Sequence, residues 1–234
     1  MTKEEFLQAL ANDNINLNEK QIDLLDRYLK LLQETNQVTN LTTIAKTEDV
    51  YLKHFYDSLM ILRYIDFKVE TKVLDFGTGA GIPGIPLAIF YPEVNFTLLD
   101  SVGKKTNFIK EVVIDLGLTN VNVINDRVEA YAKNNTEAYD YIITRAVASL
   151  PVLLELSHRL LKMRGMFIAM KAGIDDELKQ SACAIKKLGY KEHKIVRYNL
   201  PIEEAARSLV LLTKTKITAS KYPRDYSQIK KKPL

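Results

Sequence analysis

Asp75, Gly77, Gly79 and Gly81 stand two residues apart in KVLDFGTGAGIPGIPLAI (72–89), and a second acid, Asp100, follows Gly81 by 19 residues. An acid and three glycines between an apolar run and a Pro-containing helical pattern describe a loop that brings bare backbone close to a nucleotide-like ligand. Which ligand decides the chemistry. Phosphate transfer would need Gly-x4-Gly-Lys-[Ser/Thr], whose Lys neutralises the terminal phosphates; no Lys occurs between Lys72 and Lys104. Hydride transfer through a dinucleotide would need Gly-x-Gly-x-x-Gly, and Gly79 to Gly84 supplies one. In that fingerprint the first Gly closes the strand and the third lets helix and strand pack closely. Here the apolar strand runs straight into Gly77, so the register starts there and Ile82 falls at the third position. That counts against a pyrophosphate.

The remaining pattern, Asp-x-Gly-x-Gly-x-Gly, resembles that of S-adenosylmethionine-dependent methyltransferases. Their cofactor has an aminoacyl group and a sulfonium cation but no phosphate, so a carboxylate at Asp75 is useful where it would repel a phosphate ligand. Asp100 closes the next strand, where a carboxylate can accept hydrogen bonds from two ribose hydroxyls. In NDRVEAY (125–131), Asp126 or the backbone of Val128 and Glu129 is placed to meet the base edge. Ile82 then becomes a pocket wall and Pro83 the first residue of a helix. The loop points to a methyl donor.

These residues need a sheet to hold them. From residue 72 short apolar runs alternate with helical patterns: 72–76, 95–100, 120–125, 139–144 and 165–171 read as strands. PGIPLAIFY, KKTNFIKEVVIDLG, VEAYAK and LPVLLELSHRLLK read as the helices between them, and DDELKQSACAIKKLGY follows. Such alternation gives a mostly parallel sheet covered on both faces. Two later runs, HKIVRYNLP and SLVLLTKTK, are expected to pair as an antiparallel edge. Residues 1–66 read as a helical extension, with Thr2 and Glu5 at capping-box spacing, Asn18 as a second cap, a third helix over 47–65 and a loop at 36–46. The expected organisation is therefore a helical extension (1–66), a doubly wound Rossmann-like methyltransferase domain (67–216) and a tail (217–234).

Hydrophobic residues make up 47% of the 234 residues and charged ones 26%, as in ordinary soluble globular proteins. MTKEEFLQAL has no basic segment followed by an apolar one, and no window reaches the length of a membrane span, so neither a secretory signal nor a membrane is expected. A single cysteine, Cys183, fits a reducing compartment, and the cytoplasm is the expected location. It falls on the apolar side of its helix and reads as core. Residues 217–234 hold five basic residues against Asp225 and so carry the whole net charge of +4. A basic tail with Tyr and Pro reads as a mobile arm for a polyanion, or as a frayed terminus. Three histidines, His54, His158 and His193, are scattered without ligand spacing, so no metal is expected.

LDFGTGAGIPGIPLAI, FTLLDSVGKKTNFIKEV, NDRVEAY and ITRAVASL, in this order and spacing, resemble the glucose-inhibited division protein B family. The resemblance extends to NLT (40–42), KHFYDSL (53–59), LPIEE (200–204) and YPR (222–224), so it spans nearly the whole chain. It implies a methyltransferase acting on guanine N7 in 16S ribosomal RNA of the small subunit or its assembly intermediate; a monomer is expected. It also implies cofactor contacts at Gly77, Ile82, Val128, Glu129 and Arg145. Arg145 ends the run YDYIIT, at the carboxyl edge where ligands bind in open α/β sheets, and suits a carboxylate or a phosphate. Alternatively it pairs with Asp140 or Glu155.

Guanine N7 has an exposed lone pair and no proton to remove, so alignment rather than a general base is expected to suffice. Two absences agree with it: there is no Asn/Asp-Pro-Pro-aromatic stretch for exocyclic amines, and no cysteine near the loop for pyrimidine C5. His54 and Asp57 share a helix face; with Asn40 they are expected near the mouth of the cofactor pocket. Lys104, Lys105, Lys171, Arg224 and Lys230–Lys232 are candidates for RNA phosphates, and Tyr222 or Tyr226 for base stacking. After YPR the family pattern implies a Gly/Thr/Pro segment, but DYSQIKKK stands there. A methyltransferase for a small molecule or protein, and a non-catalytic nucleoside- or RNA-binding module, remain as alternatives.

Overall fold

The apolar runs become seven strands in a computed structural model that describes residues 1–234: β1 (Lys72–Phe76), β2 (Asn95–Asp100), β3 (Val121–Asn125), β4 (Tyr139–Arg145), β5 (Leu161–Lys171), β6 (Tyr190–Asn199) and β7 (Ala206–Lys214). They form one sheet in the order β3-β2-β1-β4-β5-β7-β6. β1 to β5 are parallel, and β7 enters antiparallel between β5 and β6. This is the Rossmann-like arrangement expected, with an antiparallel end. Side chains alternate between faces as a pleated strand requires. In β5 and β7, Ile168, Met170, Leu209 and Leu211 enter one core while Phe167, Ala169, Val210 and Leu212 enter the other.

The first core also takes in the N-terminal helices. Phe6, Leu25, Tyr28, Leu32 and Phe55 pack in the same apolar cluster as Val73, Phe96 and Leu98 of the sheet. The N-terminal helices thus form a layer over one face. Helices Lys3–Asn12 and Glu19–Thr39 both begin with complete capping boxes, Thr2 with Glu5 and Asn18 with Gln21. The second helix runs to Thr39, into the stretch expected to be loop, and stops where Asn40 adopts a left-handed φ of 48°. Asn tolerates that conformation better than most residues. The third helical segment covers 47–63 and contains a π-helical stretch, Val50–Tyr56, the form often found at functional sites.

The second core is covered by Leu150–His158, Asp175–Leu188 and the C-terminus. Leu150–His158 ends earlier than the sequence pattern implies, and β5 starts four residues before the expected 165. The wholly buried ammonium of Lys214 accounts for this: it donates to the carbonyls of His158 (3.0 Å) and Leu161 (2.7 Å) and pairs with Glu137 (3.0 Å). A distant β7 residue thereby holds the end of the helix.

Two expectations are corrected here. Cys183 is exposed, because its helix buries Ser181, Ala184 and Leu188 and Cys183 lies off that stripe. The C-terminal segment is not a mobile arm. Tyr222 and Ile229 are buried, Tyr226–Lys231 is helical, and Arg224 is paired with the wholly buried Glu155 at 2.6 Å. Only Lys221 and Lys230–Lys232 of its basic residues stay exposed. No helix is long and apolar enough to cross a membrane.

Candidate active site

Between β1 and β4 the strand order reverses, and in open α/β sheets the crevice beyond the carboxyl ends at such a point is where ligands bind. β1 runs into Gly77, Gly79 and Gly81, whose φ values are 68°, 64° and 96°. Side chains are strained in that region, so the loop needs glycine. At Gly77 a Cβ would also lie 2.4 Å from Val147 in the loop after β4.

Two carboxylates organise the loop from below and from the side. Asp75 accepts from the Thr78 hydroxyl (2.7 Å) and from the Gly84 N–H (2.9 Å), stapling the loop to the helix Gly84–Phe90. Its other oxygen, Oδ1, is buried without a partner, and burial pushes its carboxyl up to about 7. Asp75 therefore lies beneath the loop and does not face the cleft as expected. Asp100 does. One of its oxygens accepts from the Gly79 N–H and the other from the Val102 N–H, each at 2.9 Å, while its side chain borders the cleft. A carboxylate offers about four acceptor sites, so positions remain for ligand hydroxyls.

The cleft holds about 360 Å³, within the range of small-ligand sites. Phe76 and Gly77 line it from β1, Asp100 to Val102 from β2, Asp126 to Glu129 from the turn after β3, and Ala146 to Ala148 from the loop after β4. Leu99, Lys105, Leu156 and Tyr226 complete it. Gly79 and Gly81 shape the loop without lining the cleft, and Ile82, only 5% exposed, is in the core rather than a wall. The chain enters the helix at Gly84, where a Cβ would meet Leu98 at 2.1 Å. Tyr28, which sequence pattern gave no reason to choose, donates to the carbonyl of Ala80 at 2.6 Å and ties the N-terminal layer to the loop. The donor set suits an adenosyl group without phosphates: a glycine cradle, a carboxylate at the second strand's end, and backbone at Val128 and Glu129.

A second pocket of about 300 Å³ adjoins the cleft and shares Ala146 with it. It is lined by Lys53, Asp57, Arg145, Lys171 and Arg207. Arg145 pairs with neither Asp140 nor Glu155. Its guanidinium donates to the Lys53 carbonyl (2.6 Å), to His54 Nδ1 (2.8 Å) and to Asp57 (3.3 Å), binding the end of β4 to the π-helical stretch. Asp57 also accepts from the Tyr198 hydroxyl at 2.7 Å and faces Arg207 at 3.7 Å. Lys53 pairs with Asp49 and Glu203, each at 2.8 Å, and Lys171 with Glu177 at 2.9 Å, so the pocket's charges are balanced. Lys171 also donates to the Ala148 carbonyl at 2.6 Å and thereby fixes the loop bordering the cleft.

Because arginine can only donate, His54 Nδ1 accepts and Nε2 carries the proton toward the Thr42 hydroxyl, 3.3 Å away. Asn40 makes this contact possible: the left-handed turn at Asn40 redirects the chain, and Asn36 then holds the Thr42 N–H at 2.8 Å. Asn40 itself is exposed, as is Lys104, which donates to the last carbonyl of that helix, Thr39, at 2.9 Å. Arg224 lies away from this surface, engaged by Glu155.

Burial, aided by the Arg145 charge, holds the His54 pKa down at about 3, well below the ordinary 6.5. The unfolded chain then binds the proton first as pH falls. His54 therefore contributes stability that is complete above about 6.5 and is lost as pH falls toward 3. His158, held at about 4 by burial and Lys214, adds a slope of the same sign. Asp75, raised to about 7, acts oppositely, its contribution being lost as pH rises from 3.8 through 7. His54→Asn, which keeps an acceptor near Nδ1 but cannot titrate, is expected to lose less stability than the wild type between pH 7 and 5. Urea unfolding at the two pH values measures this, and equal losses would contradict a neutral, buried His54.

The GidB family model, described as rRNA small subunit methyltransferase G, matches residues 21–208. The chain is 42% identical to the Ribosomal RNA small subunit methyltransferase G of Oceanobacillus iheyensis, over the full length of both. It is 44% identical to the protein of that name from Desulforamulus reducens, covering 97% of this chain and 96% of the other. Among solved structures, a SAM dependent methyltransferase from Aquifex aeolicus superposes with a TM-score of 0.56 at 18% identity, over 75% of this chain and 97% of that one. The precorrin-6y C5,15-methyltransferase of Geobacter metallireducens gives 0.52 at 16% identity, over 76% and 92%. At those identities the two structures share the fold.

Proposed function

The chain belongs to the GidB family, rRNA small subunit methyltransferase G, and from that premise we propose that it transfers a methyl group from S-adenosylmethionine to N7 of a guanine in 16S RNA. S-adenosylmethionine-dependent methylation of ribosomal RNA follows from the family and from the fold of its structural neighbours. The choice of N7, the residue assignments, the monomeric state and the cytoplasmic location are the finer parts of the proposal. The observation that carries it is the junction at Ala146 of a glycine-cradled cleft with a second, charge-balanced pocket.

When bound, S-adenosylmethionine supplies an electrophilic methyl group on its sulfonium. In this reading Gly77 lets backbone approach it, Asp100 takes the ribose hydroxyls, and Val128 and Glu129 meet the base. Asp75, Gly79, Gly81 and Ile82 hold the cradle from beneath. The second pocket receives the target base. N7 carries no proton, so no side chain has to remove one, and orientation alone lowers the barrier. Methylation leaves the guanine cationic, and Asp57, although already paired with Arg145, is the one acid lining that pocket. Arg145 acts as a positioning residue, since three of its five N–H donors are engaged by Lys53, His54 and Asp57. Exposed Asn40, Lys104 and Lys230–Lys232 are the residues proposed to meet the RNA, whose phosphates would make binding salt-dependent.

The test is incorporation of labelled methyl groups from S-adenosylmethionine by the purified protein. Small-subunit RNA from cells lacking the activity is expected to take up label, whereas label appearing only in protein or in small molecules would overturn the proposal.

A further inference from the structure

Tyr226, among the last nine residues of the chain, lines the cofactor cleft beside Asp126–Glu129. Two anchors bring it there. Upstream, Arg224 gives three hydrogen bonds to the Glu155 carboxylate, from its backbone N–H (3.0 Å), Nε (2.8 Å) and Nη2 (2.6 Å). Glu155 is wholly buried in the helix Leu150–His158, whose next residue, Leu156, also lines the cleft. Downstream, the wholly buried Ile229 enters the same apolar core as that helix. Arg224 Nη2 also donates to the Lys232 carbonyl at 3.1 Å and closes the segment upon itself. Between the anchors the Tyr226 ring stands at the cleft's edge, with the Arg127 guanidinium 4.9 Å from its centre. A cation over an aromatic face holds both groups in place.

We propose that Tyr226 is a cofactor-binding residue: with Arg127 it walls the nucleoside end of the cleft, and the strap Tyr222–Lys232 holds it there. The inference rests on the S-adenosylmethionine reading above. Asp100 marks the ribose and Val128 with Glu129 marks the base, so the aromatic wall beside them meets the adenine rather than the aminoacyl group. The wall also gives a role to DYSQIKKK, which stands where the family resemblance implies Gly, Thr and Pro.

Calorimetric titration of wild type, Tyr226→Ala, Tyr226→Leu and Tyr226→Phe tests this with two ligands, S-adenosylhomocysteine and 5′-methylthioadenosine. The second lacks the aminoacyl end. Tyr226→Ala and Tyr226→Leu are expected to weaken both ligands by about tenfold, and Tyr226→Phe to stay close to wild type. Tyr226 is only half-buried, so the variants should fold; if Tyr226→Ala does not, Tyr226→Leu keeps the bulk and carries the test. Unchanged affinity for both ligands would overturn the inference. So would weakening of S-adenosylhomocysteine alone, which would put Tyr226 at the aminoacyl end. A wild type that binds neither ligand would instead sink the cofactor reading itself.

Discussion

Asp100→Ala is expected to lower affinity for S-adenosylhomocysteine by about a hundredfold, and methylation with it. Asp100 serves two functions at once. Its oxygens accept the Gly79 and Val102 N–H groups, each at 2.9 Å, which fixes the glycine loop against the end of β2. Acceptor sites still free on them are the ones assigned to the ribose. Removing the carboxylate leaves two backbone donors unpaired in a mostly buried place, at about 1–3 kcal/mol each where no water replaces the acceptor. It also removes hydrogen bonds to a charged acceptor, worth about 1.5–3 kcal/mol. Losing about 3 kcal/mol of binding corresponds to the hundredfold change. Asp100→Asn should fall between, since its amide must point a donor at one of the two N–H groups. Calorimetric titration of the three proteins measures the order, and an alanine variant that binds as tightly as wild type would remove Asp100 from the site.

Arg145→Met is expected to have a different signature: lost methylation and lower stability with cofactor affinity largely kept. The Asp57 side chain is only 5% exposed, and without Arg145 it retains the Tyr198 hydroxyl and a distant Arg207. His54 Nδ1 and the Lys53 carbonyl lose the Arg145 donor as well. Breaking a buried ion pair on one side costs about 3–5 kcal/mol, and Asp57 becomes the uncompensated charge. The same change frees the π-helical stretch from the end of β4, so the second pocket loses its shape. Arg145→Lys should not rescue it, because one ammonium cannot reproduce the planar fork that serves three acceptors. Denaturant unfolding and titration with S-adenosylhomocysteine separate the effects. A loss of affinity as large as that of Asp100→Ala would make Arg145 a cofactor contact, as the family resemblance implies, and not a positioning residue.

Strands β1 to β4 and their glycine loop were legible in the sequence because their signals are local. Apolar runs of strand length end at Gly77 and at Asp100, and that interval alone placed Asp100 at the cleft. Arg145 was placed at a strand end for the same reason, but its partners were not, since Lys53, His54 and Asp57 lie about ninety residues away in sequence. Asp75 carries the right residue type for a ligand contact, yet burial by the helix Gly84–Phe90 turns it into a support for the loop. The tail departs from its composition for a related cause. Its composition is that of an exposed arm, but two apolar anchors and one arginine with a buried partner are enough to fold it. The contributions of Tyr28, Tyr198, Arg207 and Tyr226 depend on tertiary contacts that no spacing announces.

Mapping the modified nucleotide in RNA from strains with and without the protein shows whether methylation falls on guanine N7 of 16S RNA. N7-methylguanine is chemically labile, so reductive cleavage of the strand followed by mass spectrometry of the fragments locates it. One guanine in 16S RNA is expected to carry N7-methyl when the protein is present and to lack it when the protein is absent. A methyl group that depends on the protein but sits on a ribose oxygen, an exocyclic amine or a different RNA would contradict it.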